Sequence, residues 1–281
     1  MTGARNMAVD EALLRAAGLD PARVGRRRVP LAQLGARARL LVRDLPTVEH
    51  ADYCTTLGAS FFQGPFVTAR EDWHDNRLSP DLARIALLLG RLRDDAGNAE
   101  VIGLIKQDPA ISLRLLRYIN AAAGGMSTSV ASLDAALQLV GRARLYRWLM
   151  ILFCSRADNG GRAAASLESA LVRGRLMELL AVERPVVEQE AAFLTGLLSL
   201  IDVVLQLPME RALASLAAAP PIEAAVVRGE GPYAALLELA TACESGEREH
   251  IDRCAERCGV SALTASQHHL EALRWALGVQ A

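Results

Sequence analysis

Asp108-Pro109-Ala110-Ile111-Ser112-Leu113-Arg114-Leu115-Leu116-Arg117-Tyr118-Ile119-Asn120 is the stretch on which the fold turns. An Asp followed by Pro is a helix-start signal. The Asp oxygen can accept from an unpaired N–H of the first turn, and Pro lacks only an N–H that has no partner there. Ile111, Leu115, Leu116 and Ile119 then recur at helical spacing. The same grammar stands upstream, where Ser79-Pro80-Asp81 precedes Leu82, Ile85, Leu89 and Leu92. Downstream, Ser132 precedes 133–140 and Gly141 stops it. Further helices are predicted at 144–153, 167–180 and 189–207, and shorter ones near 209–216, 222–227, 233–243, 248–258 and 262–277. From about residue 79 onward the chain reads as one helical domain.

Composition agrees. Hydrophobic residues make up 52% of the 281 and charged residues 22%, so a core is available. Aromatics are 4%, which leaves that core to Leu, Ala, Val and Ile. Net charge is −1, giving no global pull toward nucleic acid or an anionic membrane. Lys106 is the only lysine among the basic residues, a coding bias rather than a phosphate-binding design. The apolar run 191–207 is interrupted by Asp202 and ends at Pro208, so it reads as a core helix and not a membrane span. Residues 1–20 carry charges throughout and do not resemble a secretory signal. Five scattered cysteines suggest reduced thiols in a cytoplasmic protein.

The front of the chain has a different rhythm. Residues 1–34 form a polar, Arg-rich lead containing Arg26-Arg27-Arg28, with a short helix at 11–17. A strand at 38–42, a helix at 48–57 behind Thr47, and a second strand at 60–66 make one βαβ-like unit. A polar linker covers 69–78. The expected architecture is thus mainly α, with a short α/β segment at 35–68 ahead of a helical domain at 79–281.

Gln107-Asp108-Pro109-Ala110, Leu115-Leu116-Arg117-Tyr118-Ile119-Asn120-Ala121-Ala122 and Ala135-Ala136-Leu137-Gln138-Leu139-Val140-Gly141 together resemble the HDOD family of bacterial signalling domains. The signature residues carried over are Asp108, Pro109, Asn120, Gly141 and Gly196. The resemblance implies a multi-helix fold related to the HD metal phosphohydrolases. Those enzymes hold a metal with a His-Asp pair inside an apolar helix. The matching segment here is Gly196-Leu197-Leu198-Ser199-Leu200-Ile201-Asp202. Ser199 stands in the His position and Leu200 in the Asp position. Leu has no donor atom, and a neutral hydroxyl is a poor ligand by itself.

Leu40-Leu41-Val42-Arg43-Asp44-Leu45-Pro46-Thr47, Tyr53-Cys54 and Leu57-Gly58-Ala59-Ser60-Phe61-Phe62-Gln63-Gly64 resemble the last part of an EAL cyclic di-GMP phosphodiesterase domain. The resemblance implies a truncated remnant of that domain, without its barrel and metal-binding acids. Arg43 and Pro46 stand where the family's strand carries two glutamates. An Arg repels a cation rather than binding it.

Other residues invite chemistry and have plainer readings. His74-Asp75 is a literal His-Asp dipeptide, but it lies in the polar linker. Cys254 and Cys258 with His268-His269 sketch a zinc site without the spacing of a compact zinc module. Asp202 reads as a satisfied polar group or a helix-packing contact rather than a catalytic relic, and Trp148 and Phe153 as core. Arg114, Arg117, Arg142, Arg144 and Arg147 form a basic set that is either an ion-paired surface or a partner-binding face. Arg23, Arg26–Arg28, Arg37 and Arg39 lack interleaved aromatics for stacking nucleotides.

The resulting expectation is a non-catalytic signalling protein without metal or cofactor. It would act through protein–protein contacts with other signalling proteins in cyclic di-GMP-linked control of motility, biofilm or virulence. No nucleic acid or membrane partner is expected, and self-association stays open. Two alternatives stand beside it: a sensor that binds cyclic di-GMP or a related nucleotide without cleaving it, and a residual metal-dependent phosphohydrolase.

Overall fold

The protein is described from a computed structural model that covers residues 6–10, 39–56, 59–71, 73, 77–122, 132–156, 160–182, 184, 187–216 and 218–280. It divides into two compact units, Met1–Glu71 and Asp72–Ala281. The chain is mainly α, with a short α/β segment in front.

The first unit is a three-stranded parallel sheet in the order β1 (Asn6–Asp10), β2 (Arg39–Arg43), β3 (Phe61–Phe62). Leu41 pairs with Phe61 and Val42 with Phe62. Helix α1 (Val48–Thr56) connects β2 to β3. Thr47 supplies its cap, with the His50 N–H donating to Thr47 Oγ1 at 3.5 Å. Buried Val42, Leu45, Ala51, Cys54, Ala59 and Phe66 form a small core of their own. Gly64 is required where it stands, because a Cβ there would lie 2.4 Å from the Leu45 backbone. β1 was not anticipated from the sequence. It falls in the polar lead, where no period-2 apolar pattern announces it. The predicted helix at 11–17 and Arg26-Arg27-Arg28 lie outside the described residues.

Among the described residues, the regular elements of the second unit are all helical. Its elements are α2 (Pro80–Arg93), α3 (Asn98–Lys106), α4 (Pro109–Ala122), α5 (Leu133–Val140), α6 (Arg142–Ser155), α7 (Gly160–Ala181) and α8 (Gln189–Leu198). They are followed by α9 (Ile201–Leu205), α10 (Met209–Leu216), α11 (Pro220–Glu223), a π-helical turn (Ala224–Arg228), α12 (Ala234–Ser245), α13 (Arg248–Cys258) and α14 (Ala262–Gln280). The start signals work as read. Leu82 N donates to Ser79 Oγ at 3.3 Å, and Ala135 N to Ser132 Oγ at 3.1 Å. Asp108 Oδ1 accepts from Ala110 N and Ile111 N at 3.0 and 3.1 Å. Gly141, at φ 77°, ends α5 and opens α6.

Two differences from the sequence reading matter. Helix α3 was missed, because Gly97 offers no side-chain cap to announce it. The predicted helix 189–207 is broken at Ser199-Leu200, where Leu200 leaves helical geometry at φ −122°, ψ 16°. One continuous core spans this unit, from Leu82 on α2 to Ala276 on α14. Among the described residues, no helix is long and apolar enough to cross a membrane. All five cysteines are buried, and none is in a disulfide.

Candidate functional site

The break between α8 and α9 sits against the middle of α7, and small residues put it there. A Cβ on Gly196 would lie 2.5 Å from Gly174 N and 2.6 Å from the Arg173 carbonyl carbon. A Cβ on Gly174 would lie 2.8 Å from Phe193 O. The two backbones therefore touch where Gly174 and Gly196 cross. The crossing sets Arg173 of α7 directly beside Ser199, just beyond the end of α8.

Arg173 is 8% exposed and fully engaged. Its Nε and Nη2 donate to the two oxygens of Glu244 on α12, at 2.6 and 2.7 Å. This is a bidentate, charge-assisted pair. Arg173 Nη1 donates to Ser199 Oγ at 3.1 Å, and the Ser199 hydroxyl donates to Gly196 O at 2.7 Å. Glu244 is itself 24% exposed at its side chain, so the pair opens to the surface on one side. His269 on α14 also feels Glu244, which pulls its pKa upward, but burial of the ring outweighs this and holds the pKa below its usual value. Leu200 is buried as core, and Asp202 is buried in the first turn of α9. Ser199 thus offers a hydroxyl that already accepts from a protein guanidinium, and Leu200 offers only a buried apolar side chain. A fixed cation at 3.1 Å from Ser199 Oγ is electrostatically hostile to a second one.

Sequence reading found Gly196, Ser199 and Leu200 here, but missed Arg173, Gly174 and Glu244. The Gly174–Gly196 approach joins residues more than twenty positions apart, and no local pattern signals it. Arg173 sits in an otherwise apolar run, 170–173, which is the one available hint.

The five-arginine set divides. Arg142 turns inward: Nη1 donates to Ala96 O and Asn98 Oδ1 at 2.7 and 2.8 Å, and Nη2 to Leu92 O at 3.1 Å. It thereby ties the end of α2 to the start of α6. Arg147 is bound by Glu178 and Glu190 and lies 3.5 Å from the Phe193 ring centroid. Burial raises the Glu178 carboxyl pKa, but the bonds to Arg147 and Arg175 outweigh it and lower the pKa overall. For Glu190 burial wins and the pKa rises. Only Arg114, Arg117 and Arg144 are exposed. Arg114 and Arg117 share α4 with exposed Leu113 and Tyr118, and Tyr118 meets Trp148 at 5.9 Å between ring centroids.

In the first unit, Arg43 Nε donates to Gln63 Oε1 at 3.0 Å on an exposed surface. Pro46 is also exposed. His74-Asp75 and the side chain of Asn120 lie outside the described residues. Cys254 and Cys258 are buried on α13, and His268 and His269 are half-buried on α14.

The HDOD domain family profile matches residues 82–219. The chain is 28% identical over 248 residues to the cyclic di-GMP phosphodiesterase CdgJ of Vibrio cholerae, covering 87% of this chain and 57% of that protein. It is 26% identical over 254 residues to the uncharacterized protein YuxH of Bacillus subtilis, covering 89% of this chain and 61% of that one. The chain therefore spans about three-fifths of the length of these curated relatives. A crystal structure of the MmoQ response regulator of Methylococcus capsulatus aligns with a TM-score of 0.34 and 19% identity, over 66% of this chain and 95% of that one. The expectation that the chain is not an enzyme is corrected by the first of these relatives, which is named as a phosphodiesterase. Absent ligands at one helix break do not decide the activity of a whole protein. Residues 82–219 thus match the HDOD domain family, and the chain is similar to a protein named as a cyclic di-GMP phosphodiesterase.

Proposed function

We propose that this is a signal-transduction protein linked to cyclic di-GMP, whose HDOD domain works by presenting helical surface to partner proteins. The observation that carries the reading is the Arg173–Glu244–Ser199 network. It gives the position matching the metal-binding pair a structural role, and so directs attention to the outside of the domain. The exposed residues Leu113, Arg114, Arg117 and Tyr118 on α4, with Arg144 on α6, combine apolar and cationic groups of the kind enriched at interfaces. Their partner would be another signalling protein with an acidic, partly apolar face. The segment 35–68 is read as EAL-like and degenerate at Arg43 and Pro46. Support for that comes from its parallel strand–helix–strand unit and from Gln63, which Arg43 holds in place.

The test is capture of partners by the full chain from the host cell, run beside an Arg114→Glu/Arg117→Glu variant. The reading expects a defined signalling partner that the variant loses while its helical content is unchanged. A partner set identical for both proteins would overturn it.

A second reading is favoured by one observation, the name of the Vibrio relative. In it, the protein takes part in cyclic di-GMP turnover. Incubation with cyclic di-GMP, followed by separation of the products, distinguishes the two. Linear dinucleotide formed in proportion to protein, and abolished by a chelator, supports the second reading.

A further inference from the structure

Near the C-terminal end, two helices bring together three side chains that the function above does not use. Glu238 lies on α12, and His250 and Cys254 lie on α13. His250 and Cys254 are four residues apart, so they share one helix face. One ligand atom from each residue lies within 4.8 Å of the other two. Cys254 is 2% exposed, while Glu238 and His250 are half-buried. The thiol forms the floor of the site, and the imidazole and carboxylate form its rim.

We propose that Glu238, His250 and Cys254 form a binding site for a single divalent transition metal, with zinc as the best-suited ion. The proposal stands apart from the interaction reading and does not depend on it. Several features point to it. The donor set of one sulfur, one nitrogen and one oxygen is of the borderline-soft kind that suits zinc and its neighbours rather than magnesium or calcium. A thiolate and a carboxylate carry two negative charges between them, one of which Arg257 already offsets in part. Tetrahedral zinc holds its ligand atoms roughly 3.4–3.7 Å apart, given bonds of about 2.0–2.3 Å. The three ligand atoms lie within 4.8 Å of one another before any ion is present. Three protein ligands leave the fourth position to water.

Arg257 already holds the carboxylate and opposes a second cation there, so the ion must share Glu238 with it. Its Nη1 straddles the Glu238 carboxylate, at 2.8 Å from one oxygen and 2.7 Å from the other. With one oxygen on the metal, the other stays on Arg257. The guanidinium then orients the ligand from outside, as outer partners of metal-bound carboxylates do. On binding, the Cys254 thiol releases its proton to solvent and its sulfur donates to the ion. No oxidation or reduction is involved.

The spacing-based sketch had paired Cys254 with Cys258, His268 and His269. The fold replaces all three of those partners. Cys258 Sγ is turned toward Ala235 O at 3.2 Å, and His268 and His269 lie on α14.

The experiment is a titration of the full, reduced chain with cobalt(II), followed by near-ultraviolet absorbance, then by zinc competition. The expected result is a thiolate-to-cobalt charge-transfer band that saturates at one ion per chain and is displaced by zinc. Cys254→Ser removes the band. His250→Gln weakens binding by more than the roughly 10–100-fold typical of losing an outer-sphere partner. Cys258→Ser and Cys243→Ser leave band and stoichiometry unchanged. Should Cys254→Ser fail to fold, the half-buried His250→Gln decides alone. No band at saturating cobalt, a band that follows Cys243 or Cys258, or unchanged affinity in His250→Gln would each overturn the proposal.

Discussion

Two arginines, one in each unit, differ in depth. Arg173, in the helical unit, is buried and spends all of its guanidinium edge on Glu244 and Ser199. Arg43, in the small sheet unit, is exposed and bonds one neutral amide. Both are hydrogen-bonded guanidiniums, but the energetic consequence of losing a partner differs. A buried guanidinium stripped of its partner is an uncompensated charge in low dielectric, so the surrounding fold depends on its pairing. An exposed one exchanges its partner for water at little cost. Arg173 has become part of the architecture, whereas Arg43 can vary without structural penalty.

Four measurements can break or sharpen that contrast. The largest effect is expected from Glu244→Ala, which leaves Arg173 buried without its carboxylate. Chemical denaturation should show a loss of about 3 kcal/mol, and a loss below about 1 kcal/mol would put the pair on the surface in all but name. Next comes Gly196→Ala. Its Cβ meets backbone atoms of Arg173 and Gly174, which cannot rotate away. The expected cost is about 2–3 kcal/mol, with the α7–α8 crossing forced apart.

A smaller effect concerns pH. Burial lowers the pKa of His269 from its ordinary value of 6.5. A group whose folded pKa is depressed binds more protons when unfolded, so stability rises with pH through that window. Stability should therefore fall as pH drops below 6.5, and His269→Gln should flatten that slope. An unchanged slope would assign the effect to another group. The smallest effect is expected from Arg43→Ala, within about 0.5 kcal/mol of the parent. A large loss there would erase the contrast between the two arginines.

What the sequence made legible was local. The Ser79, Asp108 and Ser132 caps and the Gly141 stop were each readable, because a cap is written within three or four residues. The helical character of 79–281 followed from periodicity for the same reason. The first helical element lost, α3, has a Gly at its N-cap and therefore no side-chain signal. At the candidate site, Ser199 and Leu200 were found through family resemblance. Arg173 and Glu244 were not, since their pairing spans 71 residues and depends on two glycines that let α7 and α8 touch. The arginine set shows the same limit. Spacing could place Arg142 and Arg147 on one helix, but only the fold shows them turned toward Leu92, Ala96, Glu178 and Glu190. Likewise, spacing drew attention to Cys254 but could not show that the fold brings Glu238 and His250 within 4.8 Å of it.

The central claim is that Arg173 and Glu244 act as one structural unit beside Ser199. A double-mutant cycle on Arg173→Ala and Glu244→Ala, read by equilibrium unfolding, tests it most directly. The account predicts that the second substitution costs far less once the first is made, with a coupling energy of about 2–3 kcal/mol. Costs that simply add, within about 0.5 kcal/mol, would contradict it.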